Sequence, residues 1–181
     1  MIKRDQRGFT LIELLLAIAI AALIASAATM AMFQVINVTR SSNDRLTVIR
    51  QVQNAGYYIS QDAQMAEFVI VDDDWGTWDL LLLTWTEEEE PYGENETWHM
   101  VWYYLGDVSG DIGKLKRSHW FSCPPYYENT VVAEYVYCKG SDPDNTTRFS
   151  YQDSVLTAQI TARLGEAEET KEYKVYRRPN F

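Results

Sequence analysis

The chain opens on eight mostly polar residues, Met1 to Gly8, and then turns apolar without a graded transition. From Leu14 to Thr39 no side chain is charged, and Leu14–Ala28 is almost entirely Leu, Ile and Ala. About 20 apolar residues are enough for a helix to cross a bilayer, so Phe9 to Phe33 is long enough. Neither Gly nor Pro occurs between Phe9 and Ala55, and nothing forces a break in the helix there. Beyond this run the apolar positions thin to one stripe: Leu46, Ile49, Val52, Ala55 or Gly56, Ile59, Ala63 and Ala66, in steps of three and four. Arg45, Arg50, Gln53, Gln61 and Gln64 fall mostly on the other side. Ser41-Ser42-Asn43-Asp44 is expected to loosen the helix or to cap a new segment. A helix from Phe9 to about Phe68 spans roughly 90 Å at about 1.5 Å per residue.

After residue 70 the period changes. Trp78–Thr86, Thr97–Leu105, Leu115–Phe121, Thr130–Cys138, Arg148–Leu164 and Lys171–Arg178 are rich in Val, Tyr, Trp, Thr and Leu. Turn-prone segments such as Gly106-Asp-Val-Ser-Gly-Asp-Ile-Gly113 and Cys123-Pro-Pro-Tyr-Tyr-Glu-Asn129 separate them. Successive strands with short connections imply an antiparallel sheet, one face of which covers the helix stripe. The expected class is α+β. Residues 1–8 form a leader, 9–36 an apolar helix, 37–70 its amphipathic continuation and 71–181 a β-rich globular domain.

Charge sharpens this division. The 181 residues carry a formal charge of −10, yet the leader is basic, with Lys3, Arg4 and Arg7 against Asp5. Residues 62–113 hold 14 Asp and Glu and no Lys or Arg, together with five of the six Trp. An acidic chain repels nucleic acid and anionic lipid surfaces, so neither is an expected partner. The acidic stretch is expected to meet a basic partner or a cation, or to hold neighbouring copies apart. The basic leader should stay cytoplasmic by the positive-inside rule, which makes the chain a single-pass membrane protein with the rest across the membrane.

An ordinary secretory signal would end at a small-residue site such as Ala25-Ser26-Ala27. Glu13 argues otherwise, because an ionisable residue inside an apolar span costs roughly 2.5–3.5 kcal/mol at its centre, less near its end, and reads as functional. Arg7-Gly8-Phe9-Thr10-Leu11-Ile12-Glu13-Leu14-Leu15 resembles the leader shared by type IV pilins and type II secretion pseudopilins. The resemblance implies cleavage after Gly8 by a prepilin peptidase/methyltransferase, N-methylation of Phe9 and retention of the apolar helix. It also implies assembly with other pilin or pseudopilin subunits on an inner-membrane platform into a periplasmic or extracellular filament. In this scheme Glu13, with Thr10 beside it, pairs with the Phe9 amino group of a neighbour, since an unpaired buried charge is costly. Many major pilins carry Gly and Pro where this chain has Ala22 and Met30, which favours a minor pilin or pseudopilin. The helix-then-sheet order resembles the pilin fold, and the Asp62…Ala66 segment resembles J/W-type minor subunits.

Little else suggests chemistry, and the chain is not expected to be an enzyme. In an exported domain Cys123 and Cys138 are expected to form a disulfide, which stabilises by roughly 3 kcal/mol for a loop of about 15 residues. A metal site joining them to His99 and His119 has no recognised zinc spacing. Calcium needs six to eight converging oxygens; Asp107-Val-Ser-Gly-Asp111 comes nearest among the acidic clusters but lacks a bidentate Glu at the proper distance. No cofactor is expected beyond that calcium possibility. His99 and His119 lie near no triad partner, and the Trp-rich region reads as sheet core or, alternatively, as a ligand-binding patch. A membrane-tethered binding domain that never polymerises is the alternative function.

Overall fold

The computed structural model describes residues 10–71, 79–88, 96–122, 125–138 and 146–176. The chain divides into two compact units, Met1–Ser42 and Asn43–Phe181. A single helix, α1 (Leu11–Met65), runs through both. Ser41-Ser42-Asn43-Asp44 neither loosens nor caps it; with no Gly or Pro present, the backbone ladder continues through all four.

In the first unit α1 buries nothing within the chain. Leu11, Leu15, Leu23, Ile24, Met30 and Phe33 are all exposed. By length and composition this helix can cross a membrane.

In the second unit α1 lies on an eight-stranded antiparallel sheet. The strands are β1 (Phe68–Val71), β2 (Asp79–Glu88), β3 (Glu96–Ser109), β4 (Ile112–Ser122), β5 (Pro125–Tyr137), β6 (Arg148–Gln152), β7 (Val155–Leu164) and β8 (Ala167–Tyr176). Their order is β1-β2-β3-β4-β5-β7-β6, with β8 also paired to β7. The sheet curls, so that β1 comes near β6. This is the pilin-like α+β plan.

The curl has a local cause. Between Gly113↔Val136 and Lys116↔Val131, β5 carries extra residues around Val132 and at Glu134-Tyr135, and Tyr135 adopts φ 59°. Such bulges bend a strand and release backbone groups from the ladder. The helix supplies the missing partners. Asn54 Nδ2 donates to the Val132 carbonyl at 2.7 Å, and the Glu134 N–H donates to Gln51 Oε1 at 2.8 Å. Beyond the bulges, Val136↔Ala162 is the one register pair joining β5 to β7 among the described residues.

Burial on α1 follows Val48, Val52, Ala55, Gly56, Ile59, Asp62 and Ala63, so the stripe differs from the sequence reading at both ends. Leu46 is 48% exposed and Ile49 half-buried, while Asp62 is covered. The helix also stops at Met65, and Phe68–Val71 pairs with β2 as a strand. Facing the stripe, Leu81, Leu83, Val101, Tyr103, Leu115, Val132 and Ile160 close the core. Each aliphatic side chain so buried contributes about 1.5–3 kcal/mol.

Gly56 is the point of closest approach. A Cβ placed there would lie 2.1 Å from Cζ of Tyr173, whose hydroxyl donates to the Val52 carbonyl at 3.1 Å. Gly56→Ala gains about 1 kcal/mol in helix propensity but must push the ring away. Overpacking of this kind costs about 1–3 kcal/mol, so we expect a net loss. Chemical denaturation of Gly56→Ala beside Gly56→Ala/Tyr173→Ala checks it: the alanine should be tolerated better once the ring is gone.

Among the described residues three hairpins use two-residue turns. Gly110 (φ 66°) and Gly165 (φ 62°) open the turns between Ser109↔Ile112 and Leu164↔Ala167. Asp153 and Ser154, both at positive φ, turn the chain between Gln152↔Val155. Arg148–Leu164, expected as one strand, is therefore two.

Candidate functional site

Three groups of side chains stand out, and they lie on different parts of the chain. The first is the start of α1. Thr10 occupies the N-cap: its Oγ1 lies 3.4 Å from the Glu13 N–H that it caps. Glu13 reaches back, and its Oε2 accepts from the Thr10 N–H at 2.9 Å and from the Thr10 hydroxyl at 2.8 Å. Thr10-x-x-Glu13 is thus a reciprocal capping box, which satisfies helix N–H groups that have no intrahelical partner. The spacing was visible in the sequence, but the apolar residues on either side drew attention to burial of the charge instead. Gly8 and Phe9, the expected cleavage and methylation positions, lie outside the described residues.

The second group is buried between α1 and the sheet. Arg117 on β4 forks onto Asp62 through Nε–Oδ2 at 2.7 Å and Nη2–Oδ1 at 2.9 Å, and the Tyr103 hydroxyl on β3 donates to the same carboxylate. Asp62 is 2% and Arg117 9% exposed, and Tyr58 lies under the guanidinium with its ring centroid 5.9 Å away. Burial, reinforced by the Asp62 charge, raises the Tyr103 phenol well above its usual range. The fork and the neighbouring phenol raise Arg117 in spite of its desolvation. The sequence places Asp62 in the Asp62…Ala66 segment and at the start of the acidic stretch, with nothing there to pair it with Arg117. Its place three residues after Ile59 on the buried stripe was the available signal.

The third group sits past the end of α1. The register brings Trp85, His99, His119 and Phe121 together on adjacent strands. His99 stacks on Trp85 with an interplanar angle of 3° and a centroid distance of 5.0 Å. His99 Nδ1 lies 3.0 Å from His119 Nε2, and His99 Nε2 lies 3.2 Å from Glu87 Oε2. That last contact lacks hydrogen-bond direction, so among the described residues the buried Nε2 finds no well-aligned acceptor. Burial and the nearby Arg117 and His99 lower the His119 imidazole from its usual range.

The remaining candidates separate. The Asp107 carboxylate meets Lys116 Nζ at 3.1 Å and Lys114 Nζ at 3.8 Å, and its bond to Lys116 lowers its pKa. The Asp111 carbonyl accepts from the Cys138 N–H at 3.0 Å. A calcium cage needs converging uncommitted oxygens, whereas Asp107 already faces two cations. Among the described residues no three metal-ligating side chains converge. Cys138 is buried beside the Asp111 turn, at the opposite end of β4 from His119, and Cys123 lies outside the described residues. Asp72–Asp74, Glu89, Glu90, Asp142, Asp144, Trp75 and Trp78 also lie outside them.

A family model described as the prokaryotic N-terminal methylation motif matches residues 3–29. The chain carries a prepilin-type leader. The match takes in Gly8, Phe9, the Thr10–Glu13 box and most of the apolar run. No curated protein and no solved structure matches the chain significantly. The prepilin leader supports a type IV pilin-like or pseudopilin subunit, a structural rather than catalytic class that interacts with other such subunits and with prepilin peptidase. Together with the apolar helix, the leader supports membrane anchoring.

Proposed function

We propose that the chain is a minor pilin or pseudopilin, cleaved after Gly8, methylated on Phe9 and assembled through its N-terminal helix into a type IV pilus-like filament. The observation that carries this reading is the match of the methylation motif across residues 3–29, on a helix whose Leu, Ile, Met and Phe side chains from Leu11 to Ile36 all face outward from the chain. Such a surface needs lipid before assembly and other apolar helices after it. Glu13 then exchanges its own Thr10 for the Phe9 amino group of a neighbouring subunit. The inner-membrane assembly platform and sibling subunits are the partners.

Mass spectrometry of the mature chain tests the proposal. We expect an N-terminus at Phe9 carrying one methyl group. A mature chain that begins beyond residue 25 overturns it, because the helix would then have been discarded as an ordinary signal.

One observation favours a second reading, a tethered domain that binds a surface without polymerising. On the sheet face away from α1, Phe68, Thr84, Met100, Trp120 and Tyr127 form a continuous cross-strand row, with Phe68 62% and Tyr127 48% exposed. Crosslinking in cells separates the two: links to other pilin-like subunits support assembly, and methylated Phe9 without such links supports the tethered domain.

A further inference from the structure

Beyond the end of α1, a bond between two histidine rings ties β3 to β4. His99 Nδ1 lies 3.0 Å from His119 Nε2, a gap that holds one bridging proton. Both rings lie on the sheet face that α1 covers lower down, four residues from Tyr103 and two from Arg117 along their strands. Neither is free to swing. Trp85 stacks flat on His99 at 5.0 Å and tilts onto His119 at 5.6 Å, centroid to centroid. Phe121 packs at 5.9 Å from His99 and 5.4 Å from His119.

The surroundings set how many protons the pair can hold. Glu87 Oε2 stands 3.2 Å from His99 Nε2, and a carboxylate there favours a proton on that nitrogen over a lone pair. His99 Nδ1 is then the acceptor and His119 Nε2 the donor of the bridge, which leaves His119 Nδ1 as the free basic site. One added proton binds there with the bridge intact. A second has only His99 Nδ1 to go to, where two N–H groups would point at each other with their hydrogens about 1 Å apart.

Little nearby relieves that repulsion. The charged groups facing the pair are Glu87 on β2, Arg117 on β4 and Glu128 on β5, directly opposite His119. Asp62 on α1 also acts on His119, but Arg117 engages both of its oxygens. Glu87 and Glu128 are exposed to solvent, which screens them, whereas the rings sit between Trp85 and Phe121. Even for the first proton, burial and the Arg117 and His99 charges hold His119 below its usual range.

We propose that His99 and His119 form a proton-limited clamp, which holds the ends of β3 and β4 together beyond α1, accepts one added proton, and lets go when acid forces a second. In the unfolded chain each histidine takes up its own proton near about pH 6.5. The folded clamp takes one at most, so below that pH the unfolded state holds more protons than the native state. Stability is therefore complete above about pH 6.5 and is lost as the medium turns acid. Once both unfolded histidines are charged, the folded-to-unfolded ratio drops at least about tenfold for each further pH unit. The clamp goes beyond the assembly reading and acts whether or not the chain polymerises.

The test compares the full-length chain in non-ionic detergent micelles with His99→Phe/His119→Phe, which keeps the aromatic packing but cannot take up a proton. Guanidinium unfolding is followed as the pH is lowered from about 7.5 to about 4.5. The other titrating groups are common to both chains, so the difference between them isolates the pair. Relative to the double variant, the folded-to-unfolded ratio of the wild type should fall at least about tenfold per pH unit below about pH 5.5. By NMR, at most one of the two imidazoles should titrate while the fold is intact. Parallel pH slopes in the two chains overturn the clamp, as do two imidazoles that both titrate near about pH 6.5 in the intact fold. Should the double variant fail to fold, the NMR titration of the wild type decides alone.

Discussion

Asp62→Asn is expected to cost the soluble unit about 3 kcal/mol or more, the largest loss from any single polar substitution in the fold. The argument begins with position. Asp62 sits in the last turn of α1, where the helix dipole disfavours a negative charge by about 0.3–1 kcal/mol, and it is 2% exposed. Such a residue is tolerable only because Arg117 forks onto both its oxygens and Tyr103 donates to one of them. Removing one partner of a buried pair leaves the other charge uncompensated, which typically costs about 3–5 kcal/mol. Against a total of about 5–15 kcal/mol for a domain, that is a large share. For a unit of this size the melting temperature should fall by about 10 °C or more. Thermal unfolding of the full chain in detergent, followed by near-UV circular dichroism, reads it.

A second variant separates charge from packing. Asp62→Met/Arg117→Met/Tyr103→Phe removes the whole polar cluster, and replacing a buried ion pair with apolar groups of similar volume is often neutral or stabilising. The triple variant should therefore recover most of what Asp62→Asn loses. If Asp62→Asn instead melted within about 2 °C of the wild type, Arg117 would have found water, and the pair would not be holding α1 to the sheet. The cluster also fixes register. A helix slid by one turn would keep the same face toward the sheet but bring Ile59 or Ala66 opposite Arg117, and leave the guanidinium buried without its carboxylate.

How far the sequence foretold this fold depended on whether one period dominated locally. The apolar run and the stripe from Val52 to Ala63 have a helical period over many turns, and the helix forms there. Phe68–Val71 was absorbed into the helix because four residues cannot display a period and neither Gly nor Pro marks the change. Asp153-Ser154 turns the chain with two positive φ angles and no glycine, so Arg148–Leu164 read as one strand. Pro125 begins β5 where Cys123–Asn129 was expected to be a loop; at the first position of a strand its missing N–H costs no ladder bond. The polar clusters were harder still. Asp62 and Arg117 are 55 residues apart, and His99 and His119 meet only because the β3–β4 register places them diagonally. Register is set by turns and bulges far from either pair, and single-residue patterning does not contain it. The leader was legible because its signal is contiguous: nine residues in a row, Arg7 to Leu15, needed no tertiary information.

For Glu13 the expected result is a split between insertion and assembly, and the capping box makes the split diagnostic. Glu13→Ala removes both a helix cap and a charge; Glu13→Gln removes the charge alone, since glutamine also serves at the third position of a capping box. The cap stabilises by about 0.5–2 kcal/mol, mostly at the frayed end of α1. The charge matters more once the helix leaves lipid for a filament core, where pairing with a neighbour's Phe9 amino group offsets the cost of burial and fixes the axial position of the incoming subunit. Neither substitution should impair membrane insertion, because losing a carboxylate from an apolar span lowers the cost of entry. Both should be cleaved, reach the membrane at wild-type levels and appear in sheared filaments at a tenth of the wild-type level or less. Fractionation and immunoblotting measure both quantities. If Glu13→Gln assembled normally while Glu13→Ala did not, the carboxylate would be acting through Thr10 as a cap, and charge pairing between subunits would be the wrong account. If both variants assembled normally, the box would be a local feature of the helix start, and register in the filament would have to be set by other residues.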